Sequence, residues 1–126
     1  MRFVLDASAV LALLQAEPGA ERVRAVIREA ALSSVNLTEV VTKLTGRGVP
    51  AGELPTILGE IEVSVHVHDE DLAITAGVMH TRTRSRGLSL GDRACLALAR
   101  RLAATALTTD RAWRGVDVGV PIEVIR

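Results

Sequence analysis

Short apolar runs alternate along this chain with longer stretches of helical periodicity. The apolar runs predict strands over residues 2–5, 31–35, 106–108 and 122–125, and a further strand in which Val63, Val65 and Val67 alternate with polar residues. The intervening stretches predict helices over residues 7–15, 18–30, 36–44, 50–61, 69–83 and 90–104. Strands that alternate with helices in this way indicate an α/β fold with a parallel sheet covered on both faces.

Two of the predicted helices carry clear boundary signals. Asn36 is predicted to cap the helix that ends before Gly46 and Gly48, and Ser89 to cap the helix over 90–104 with Asp92 as its capping-box acid. No linker, internal repeat or low-complexity tract interrupts the pattern. Residues 1–126 are therefore expected to form a single domain, which is long enough to bury its own core.

Four acidic residues stand where apolar runs meet helices. Asp6 and Asp110 directly follow predicted strands, whereas Glu39 and Asp92 lie in the first turns of helices. In a parallel α/β sheet such junctions share the edge formed by the carboxyl ends of the strands. Clustered carboxylates repel one another unless a cation lies among them, so the pattern predicts a site for a hard metal ion.

Each acid also has a purely structural interpretation. Asp6 and Asp110 are suited to cap helices, and Glu39 and Asp92 stand three residues after Asn36 and Ser89, as capping-box acids do. The occurrence of all four acids at such junctions favours a metal site over capping alone. Asp6 and Asp110 place charge at the ends of interior strands, where an unpaired carboxylate is costly.

Composition narrows the functional classes. Hydrophobic residues make up 48% of the chain, which excludes a disordered protein, and aromatic residues only 2%, which disfavours base stacking on several rings. The single Cys95 cannot form an internal disulfide, and no apolar run is long enough to cross a membrane, so a cytoplasmic protein is expected. The arginines Arg82, Arg84 and Arg86 suit either phosphate contact or the end of a helix.

The acids lie in motifs that resemble those of the PIN domain family. The motifs are Val4-Leu5-Asp6-Ala7-Ser8, Asn36-Leu37-Thr38-Glu39-Val40, Leu88-Ser89-Leu90-Gly91-Asp92-Arg93-Ala94 and Leu107-Thr108-Thr109-Asp110-Arg111-Ala112-Trp113, in the family's order. More narrowly, the chain resembles the VapC toxins of type II toxin–antitoxin pairs. The resemblance implies a PIN-like three-layer α/β/α sandwich with a central, mostly parallel sheet. It also implies a Mg²⁺- or Mn²⁺-dependent endoribonuclease.

The resemblance further implies roles for individual residues. The family's acidic quartet corresponds to Asp6, Glu39, Asp92 and Asp110, with Asp6 and Asp92 as the main metal ligands. The residues that would orient these carboxylates are Ser8, Asn36 and Thr109. One or two Mg²⁺ ions, for which Mn²⁺ substitutes, would activate a water and orient it in line with an RNA phosphodiester. Independently of the resemblance, the chemistry of arginine makes Arg82, Arg84 and Arg86 candidates for RNA contact, and Arg93 is suited to approach either the scissile phosphate or a neighbouring carboxylate.

A partner is implied as well. A VapC-type toxin is restrained by a small VapB-like antitoxin, and an arginine of that partner would suit an acidic crevice. Apolar residues recur at helical spacing near Glu39, and they are candidates either for an antitoxin-binding surface or for ordinary core. These residues are Leu11, Leu14, Val41 and Leu44. A toxin homodimer is expected as the base of the complex.

Other functions compete with this interpretation. The main alternative is a catalytically inactive PIN-like module that binds protein or RNA, although the presence of all four acids argues against it. An aspartyl phosphatase usually needs a second acid two residues after Asp6, where Ser8 stands. A receiver domain needs a lysine at a later strand end, and Lys43 is badly placed for that role. No glycine-rich phosphate loop is present, which disfavours a nucleotide cofactor.

The remaining polar and aromatic residues have structural interpretations that we favour over chemical ones. His66 and His68 are expected on the exposed face of an edge strand rather than as metal ligands, and His80 in solvent. Cys95 and Trp113 are expected to pack, in preference to base stacking for Trp113. Asp117 is expected in a turn rather than as a fifth acid of the site.

Overall fold

The computed structural model describes residues 1–126 and contains a five-stranded sheet in which all neighbouring strands are parallel. The strands are β1 (Phe3–Leu5), β2 (Ala30–Ser33), β3 (Ser64–His66), β4 (Thr105–Thr108) and β5 (Ile122–Val124). The helices are α1 (Ala7–Leu14), α2 (Ala20–Val26), α3 (Ser34–Gly46), α4 (Leu54–Gly59), α5 (Glu70–Val78), α6 (His80–Thr83) and α7 (Leu90–Leu102). The predicted α/β/α sandwich is therefore confirmed.

The central strand β1 is buried on both of its faces. Val4 belongs to a core cluster that includes residues of α5 and α7. Phe3 and Leu5 point to the opposite face and join a second cluster with residues of α1, α2 and α3. Because helices cover both faces, the sequence of β1 is a continuous apolar run rather than an alternating one.

The direction of chain progression across the sheet changes at β1. The strand order is β3-β2-β1-β4-β5, so the chain moves outward from β1 through β2 to β3 and then returns to the other side of β1. Leu5 is in register with Leu32 of β2 and with Leu107 of β4. The carboxyl ends of these three strands consequently lie together. Such a switch point is where open α/β sheets bind their ligands.

The start of α3 differs from the prediction. β2 ends at Ser33 instead of residue 35, and Ser33 is the N-cap of α3, with its Oγ accepting a hydrogen bond from the Val35 backbone N at 3.2 Å. Asn36 therefore lies inside the helix and does not cap it. Its side chain is buried and donates a hydrogen bond to the carbonyl oxygen of Gly91 in α7.

The predicted helix over 69–83 is also divided in the structure. It consists of α5 and α6, and a 3₁₀ turn over Arg84–Arg86 follows it. The hydrogen-bond pattern tightens there, since the backbone N of Met79 donates to Thr75 four residues earlier but that of Arg82 donates to Met79 only three residues earlier. Similar 3₁₀ turns, Ile27–Glu29 and Ala51–Glu53, occupy parts of the stretches 18–30 and 50–61. No helix combines the length and apolar character needed to cross a bilayer.

β3 forms an edge of the sheet, but its exposed face is not the one predicted. Val65 and Val67 are 48% and 74% exposed, whereas the side chains of His66 and His68 are less exposed and lie half-buried on the other face. The prediction that the histidines lie on an exposed face is therefore wrong. The register of β3 on β2, with His66 opposite Ser33, decides which face turns outward, and one residue of slip would reverse it.

A pair of substitutions tests this assignment of faces. Leu32→Ala removes a fully buried side chain from β2 and is expected to lower the free energy of unfolding by about 2–5 kcal/mol, because a cavity remains. Val67→Ala, at a largely exposed position, should change the free energy of unfolding by less than about 0.5 kcal/mol. Urea denaturation measures both, and similar losses would contradict the exposure of Val67.

Candidate functional site

Asp6 connects β1 to α1, and its side chain is almost completely buried. Oδ1 accepts hydrogen bonds from Ser8 Oγ at 2.7 Å and from the Ala9 backbone N at 2.8 Å, so Asp6 caps α1. Oδ2 accepts a hydrogen bond from Thr108 Oγ1 at 2.5 Å. Burial raises the pKa of Asp6 to about 6, the three hydrogen bonds partly offset this, and the charge of Asp92 adds to the increase.

Asp92 lies in the first turn of α7, where the predicted capping box is present. The Ser89 backbone N donates to Asp92 Oδ2 at 2.8 Å, and the Asp92 backbone N donates to Ser89 Oγ at 3.2 Å. Partial burial raises the pKa of Asp92, the charge of Asp110 raises it further, and the Ser89 hydrogen bonds and Arg93 oppose the increase. Asp92 thus interacts electrostatically with both Asp6 and Asp110.

Asp110 follows β4 and is exposed. Its Oδ1 accepts a hydrogen bond from the Ala112 backbone N at 2.9 Å and caps a 3₁₀ turn over Arg111–Trp113. The Asp110 backbone N donates to Thr108 Oγ1 at 3.0 Å, so the Thr108 hydroxyl, which donates to Asp6, links these two acids.

The Thr108 side chain therefore makes the contacts that the family resemblance suggested for Thr109. Thr109 contributes only its backbone N–H, which donates to Ser8 Oγ at 3.0 Å. Thr108 is the last residue of β4, whereas Thr109 lies just beyond the strand, so their side chains have different surroundings. Thr108 is completely buried against Asp6, whereas Thr109 is half-buried.

Glu39 approaches the same edge from α3. Asn36 Nδ2 donates to Glu39 Oε1 at 2.7 Å and to the carbonyl oxygen of Gly91 at 2.9 Å. Asn36 is buried, and its Oδ1 has no hydrogen-bond partner. Because Gly91 precedes Asp92, one amide nitrogen joins the Glu39 carboxylate to the first turn of α7. Glu39 therefore contacts the Asn36 side chain and is not a capping-box acid.

All four acids contribute negative charge near the first turns of α7. The charge of Asp92 contributes to the raised pKa of Asp6, and the charge of Asp110 contributes to the raised pKa of Asp92. The buried thiol of Cys95 has its pKa raised by burial and further by the charges of Asp6, Asp92 and Glu39. No three histidine, cysteine or acidic side chains converge closely enough to form a preassembled set of metal ligands. The acids are neighbours at one edge of the sheet without forming a closed ligand shell.

Two residues of this edge, Thr108 and Gly91, were not identified as functional by the sequence patterns. Thr108 carries a recognisable signal, since it is a buried polar residue that directly follows the buried apolar pair Ala106 and Leu107 at the end of β4. Gly91 carries another signal. It lies in the first turn of an alanine- and leucine-rich helix, where glycine is unfavourable by roughly 1 kcal/mol relative to alanine.

The arginines that were candidates for phosphate contact differ in their surroundings. Arg82, Arg84 and Arg86 are exposed, and Arg82 Nη1 lies 4.0 Å from Asp117 Oδ2. Arg86 lies close to Gly115, where a β-carbon would be 2.9 Å from Arg86 Nη2, so it borders the loop that follows the Asp110 turn.

Arg93 is half-buried and makes a hydrogen bond within the protein. Its Nη1 donates to the carbonyl oxygen of Ala76 in α5 at 3.0 Å, and its Nε is buried without a partner. The guanidinium of Arg93 joins α7 to α5, the helix that packs beside it. Contact of Arg93 with RNA stays a prediction.

The other singled-out residues occupy largely the positions that were predicted. Cys95 and Trp113 are completely buried, which confirms their role in packing and excludes base stacking by Trp113. His80 is exposed. Asp117 is exposed in the segment before β5, with Arg82 as its ion-pair partner, and this placement favours a turn residue.

The proposed apolar surface near Glu39 is largely core. Leu11 and Leu44 are 9% and 6% exposed and belong to the cluster beneath α1 and α3, so they cannot form a docking surface, whereas Leu14 and Val41 are half-buried. Leu14 also lines a groove of about 850 Å³, whose apolar lining includes Leu13, Ile27 and Ile61.

Comparison with known proteins identifies both a family and similar folds. The model of the PIN domain family matches residues 3–119. The DNA-bound VapBC complex of Salmonella typhimurium contains a chain of 20% sequence identity and TM-score 0.76, with 98% of this chain and 97% of that chain covered. A comparison with curated proteins finds no match by sequence.

Two further solved structures share the fold. VapC20 of Mycobacterium tuberculosis, a toxin that cleaves the sarcin–ricin loop, is 22% identical with a TM-score of 0.73, covering 94% of this chain and 98% of that one. VapBC-1 of nontypeable Haemophilus influenzae is 19% identical with a TM-score of 0.72, covering 98% and 97%. At these identities the likeness concerns the fold.

The raised pKa of Asp6 predicts a pH dependence of stability in the absence of metal. Its pKa is about 6 in the folded protein against an ordinary 3.8, so between these values the folded state binds more protons than the unfolded state. Stability should therefore fall as pH rises from 4 through 6, with a total cost of about 3 kcal/mol. Asp6→Asn should remove this component and be the more stable protein at pH 7.5.

Urea denaturation in chelator across this pH range measures the difference between the two proteins. Asp117→Asn is the matched control, because it makes the same change at an exposed carboxylate. Parallel pH profiles for the native protein and Asp6→Asn would contradict the raised pKa.

Proposed function

Because the chain belongs to the PIN domain family, we propose that it is a Mg²⁺-dependent endoribonuclease and the toxic component of a type II toxin–antitoxin pair. The observation that carries the proposal is the chain of interacting carboxylates Asp6, Asp92 and Asp110 at the switch point of the sheet. Burial raises the pKa values of Asp6 and Asp92, and the charge of a neighbouring acid raises each of them further, so a bound cation would stabilise the ionised carboxylates. A site of this kind suits a reaction that needs a bound divalent ion.

The residues at this edge fit a hard divalent ion. They present carboxylate oxygens, which Mg²⁺ prefers and Mn²⁺ also accepts. Asp6 and Asp92 would be the principal ligands, with Asp110 and Glu39 completing the acidic quartet. The buried Oδ1 of Asn36, which has no donor in the protein, fits a water of a hydrated ion. When bound, such an ion polarises a phosphodiester and lowers the pKa of water.

The surrounding groups would keep the carboxylates in a productive arrangement. Ser8, Thr108 and the Ala9 N–H hold both oxygens of Asp6, and Ser89 holds Asp92. Asn36 holds Oε1 of Glu39, which leaves Oε2 available to orient the attacking water. Water would attack phosphorus and give up a proton, the bond to the 3′ oxygen would break, and that oxygen would take up a proton and leave as a 3′-hydroxyl, so that the other product carries a 5′-phosphate. No histidine or 2′-hydroxyl takes part.

RNA is the proposed substrate, and arginines outside the acidic cluster would contact its phosphates. Arg84 is exposed without an ion-pair partner, and Arg86 borders the loop after Asp110, so both can meet a bound strand. Arg82 is proposed with them. The sarcin–ricin loop is the substrate named for the similar VapC20 fold, which supports RNA as the substrate class.

The proposed partner is a small antitoxin. Similar folds occur in the VapBC complexes of Salmonella typhimurium and Haemophilus influenzae, which supports a protein of VapB type as the partner. An arginine fork from that partner would neutralise the excess negative charge at Asp6 and Asp92, as the metal does. We further propose that the toxin forms a homodimer within the complex.

Substitution of the acids separates chemistry from capping. Asp6→Asn and Asp92→Asn each keep the shape of the side chain and are expected to abolish cleavage of cellular RNA, with losses of at least about 10²-fold. The fold should remain intact by circular dichroism, because a capping contribution is about 1 kcal/mol. Asp117→Asn serves as the control and should cleave normally.

The same assay, followed by mapping of the RNA ends, tests the metal mechanism. Cleavage should require Mg²⁺ or Mn²⁺, stop in excess chelator and leave 5′-phosphates. Full activity in chelator, or ends that carry cyclic phosphates, would rule out the proposed reaction.

The antitoxin is tested by co-expression with the product of the neighbouring small reading frame. A stable complex should survive purification and suppress cleavage of RNA. Replacement of arginines by alanine in the small protein should restore cleavage by the toxin. The free chain supplies the reference rate. The antitoxin proposal fails if no complex survives, or if the complex cleaves RNA as fast as the free chain does.

A further inference from the structure

Gly91 occupies a position that any larger residue would share with the Glu39 carboxylate. A β-carbon built on Gly91 would lie 2.6 Å from Glu39 Oε2, 2.5 Å from Glu39 Cδ and closer still to Oε1. Such distances are far inside ordinary contact, which begins at roughly 3.5 Å. The carboxylate of Glu39 therefore lies in the space that the missing side chain of residue 91 leaves open.

Conformational freedom does not account for this glycine. Gly91 lies in the first turn of α7 and is not among the residues with a positive φ angle. In a helix with this backbone geometry alanine is more favourable than glycine. Gly77 in α5 illustrates the contrast, since a β-carbon there would meet nothing within 4 Å. The close approach of Glu39 is what distinguishes residue 91.

Asn36 holds the carboxylate in this space. Its single Nδ2 donates both to Glu39 Oε1 at 2.7 Å and to the Gly91 carbonyl oxygen at 2.9 Å. The Asn36 side chain is buried between α3 and α7, so its position is determined by packing. The Glu39 carboxylate is thereby placed against the turn that carries Asp92, one residue after Gly91.

We infer that Gly91 is a positioning residue, which sets the location of the Glu39 carboxylate relative to Asp92 by the absence of its own side chain. The inference rests on the proposed function, because it concerns how the acidic quartet is assembled. A methyl group at residue 91 displaces the carboxylate by about 1 Å and separates it from Asn36 Nδ2. Glu39 is the end of a flexible side chain, so the displacement disturbs the site more than the fold.

The experiment compares Gly91→Ala with Gly77→Ala, a control that makes the same change in a helix at an open position. Both variants are also made in a Glu39→Ala background, where no carboxylate can collide with residue 91. Each full-length protein is measured for metal-free melting temperature, for Mn²⁺ binding by calorimetry and for Mn²⁺-dependent cleavage of total cellular RNA.

Gly91→Ala is expected to shift the melting temperature by less than about 5 °C, to weaken Mn²⁺ binding by about 10- to 100-fold and to slow cleavage by about 10²-fold. Gly77→Ala should change neither binding nor cleavage. In the Glu39→Ala background, Gly91→Ala should cause no further loss of Mn²⁺ affinity, because the group through which it acts is absent.

The outcomes separate this inference from the proposed function. If the native protein neither binds Mn²⁺ nor cleaves RNA, the proposed function fails. If the native protein does both and Gly91→Ala behaves like Gly77→Ala, only the role of Gly91 is overturned. Loss of folding in Gly91→Ala that is cured by Glu39→Ala would support the contact, whereas loss of folding in both backgrounds would overturn it.

Discussion

The structure depends on how the negative charge of Asp6 is held at the carboxyl end of the central strand. The side chain is only 4% exposed, and a buried carboxylate is stable there only when donors surround it. Those donors come from the start of α1 and from the end of β4, so the contacts that stabilise the charge also fix this helix against the sheet. Ser8 extends the link by accepting a hydrogen bond from the Thr109 N–H. Even so, the pKa of Asp6 stays raised, and the charge is only partly compensated by the protein.

Helix capping by these acids is compatible with the metal binding that we propose. Asp6, Asp92 and Asp110 each accept a hydrogen bond from backbone N–H groups at the start of a helix or 3₁₀ turn. In a parallel α/β sheet the starts of helices follow the carboxyl ends of strands, where ligands bind. One oxygen of each acid can therefore accept a hydrogen bond from the backbone while the three carboxylates remain close to one another. The two interpretations of these residues are complementary.

α7 carries Asp92, and contacts on two sides determine where it lies. On one side Asn36 joins α3 to the Gly91 carbonyl oxygen, and on the other Arg93 donates to Ala76 of α5. Near its end, Arg101 makes two hydrogen bonds to Asp69, the N-cap of α5, and lowers the pKa of that carboxyl to about 2. The position of one acid thus depends on packing along the whole helix.

The sequence by itself determined the layers of the fold and the edge at which the acids meet. Continuous apolar runs ending in Asp6 and Asp110 mark interior parallel strands, and Ser89 with Asp92 marks the start of a helix, because these signals lie within a few neighbouring residues. Tertiary structure alone decided which side chains touch the acids. Thr108 meets Asp6 across 102 positions and Asn36 meets Gly91 across 55, so no local pattern specifies either contact. No local pattern specifies the surroundings of Arg93, Leu11 and Leu44 either, because these depend on how neighbouring helices pack. Periodicity defines the apolar face of a helix but not the element that covers that face.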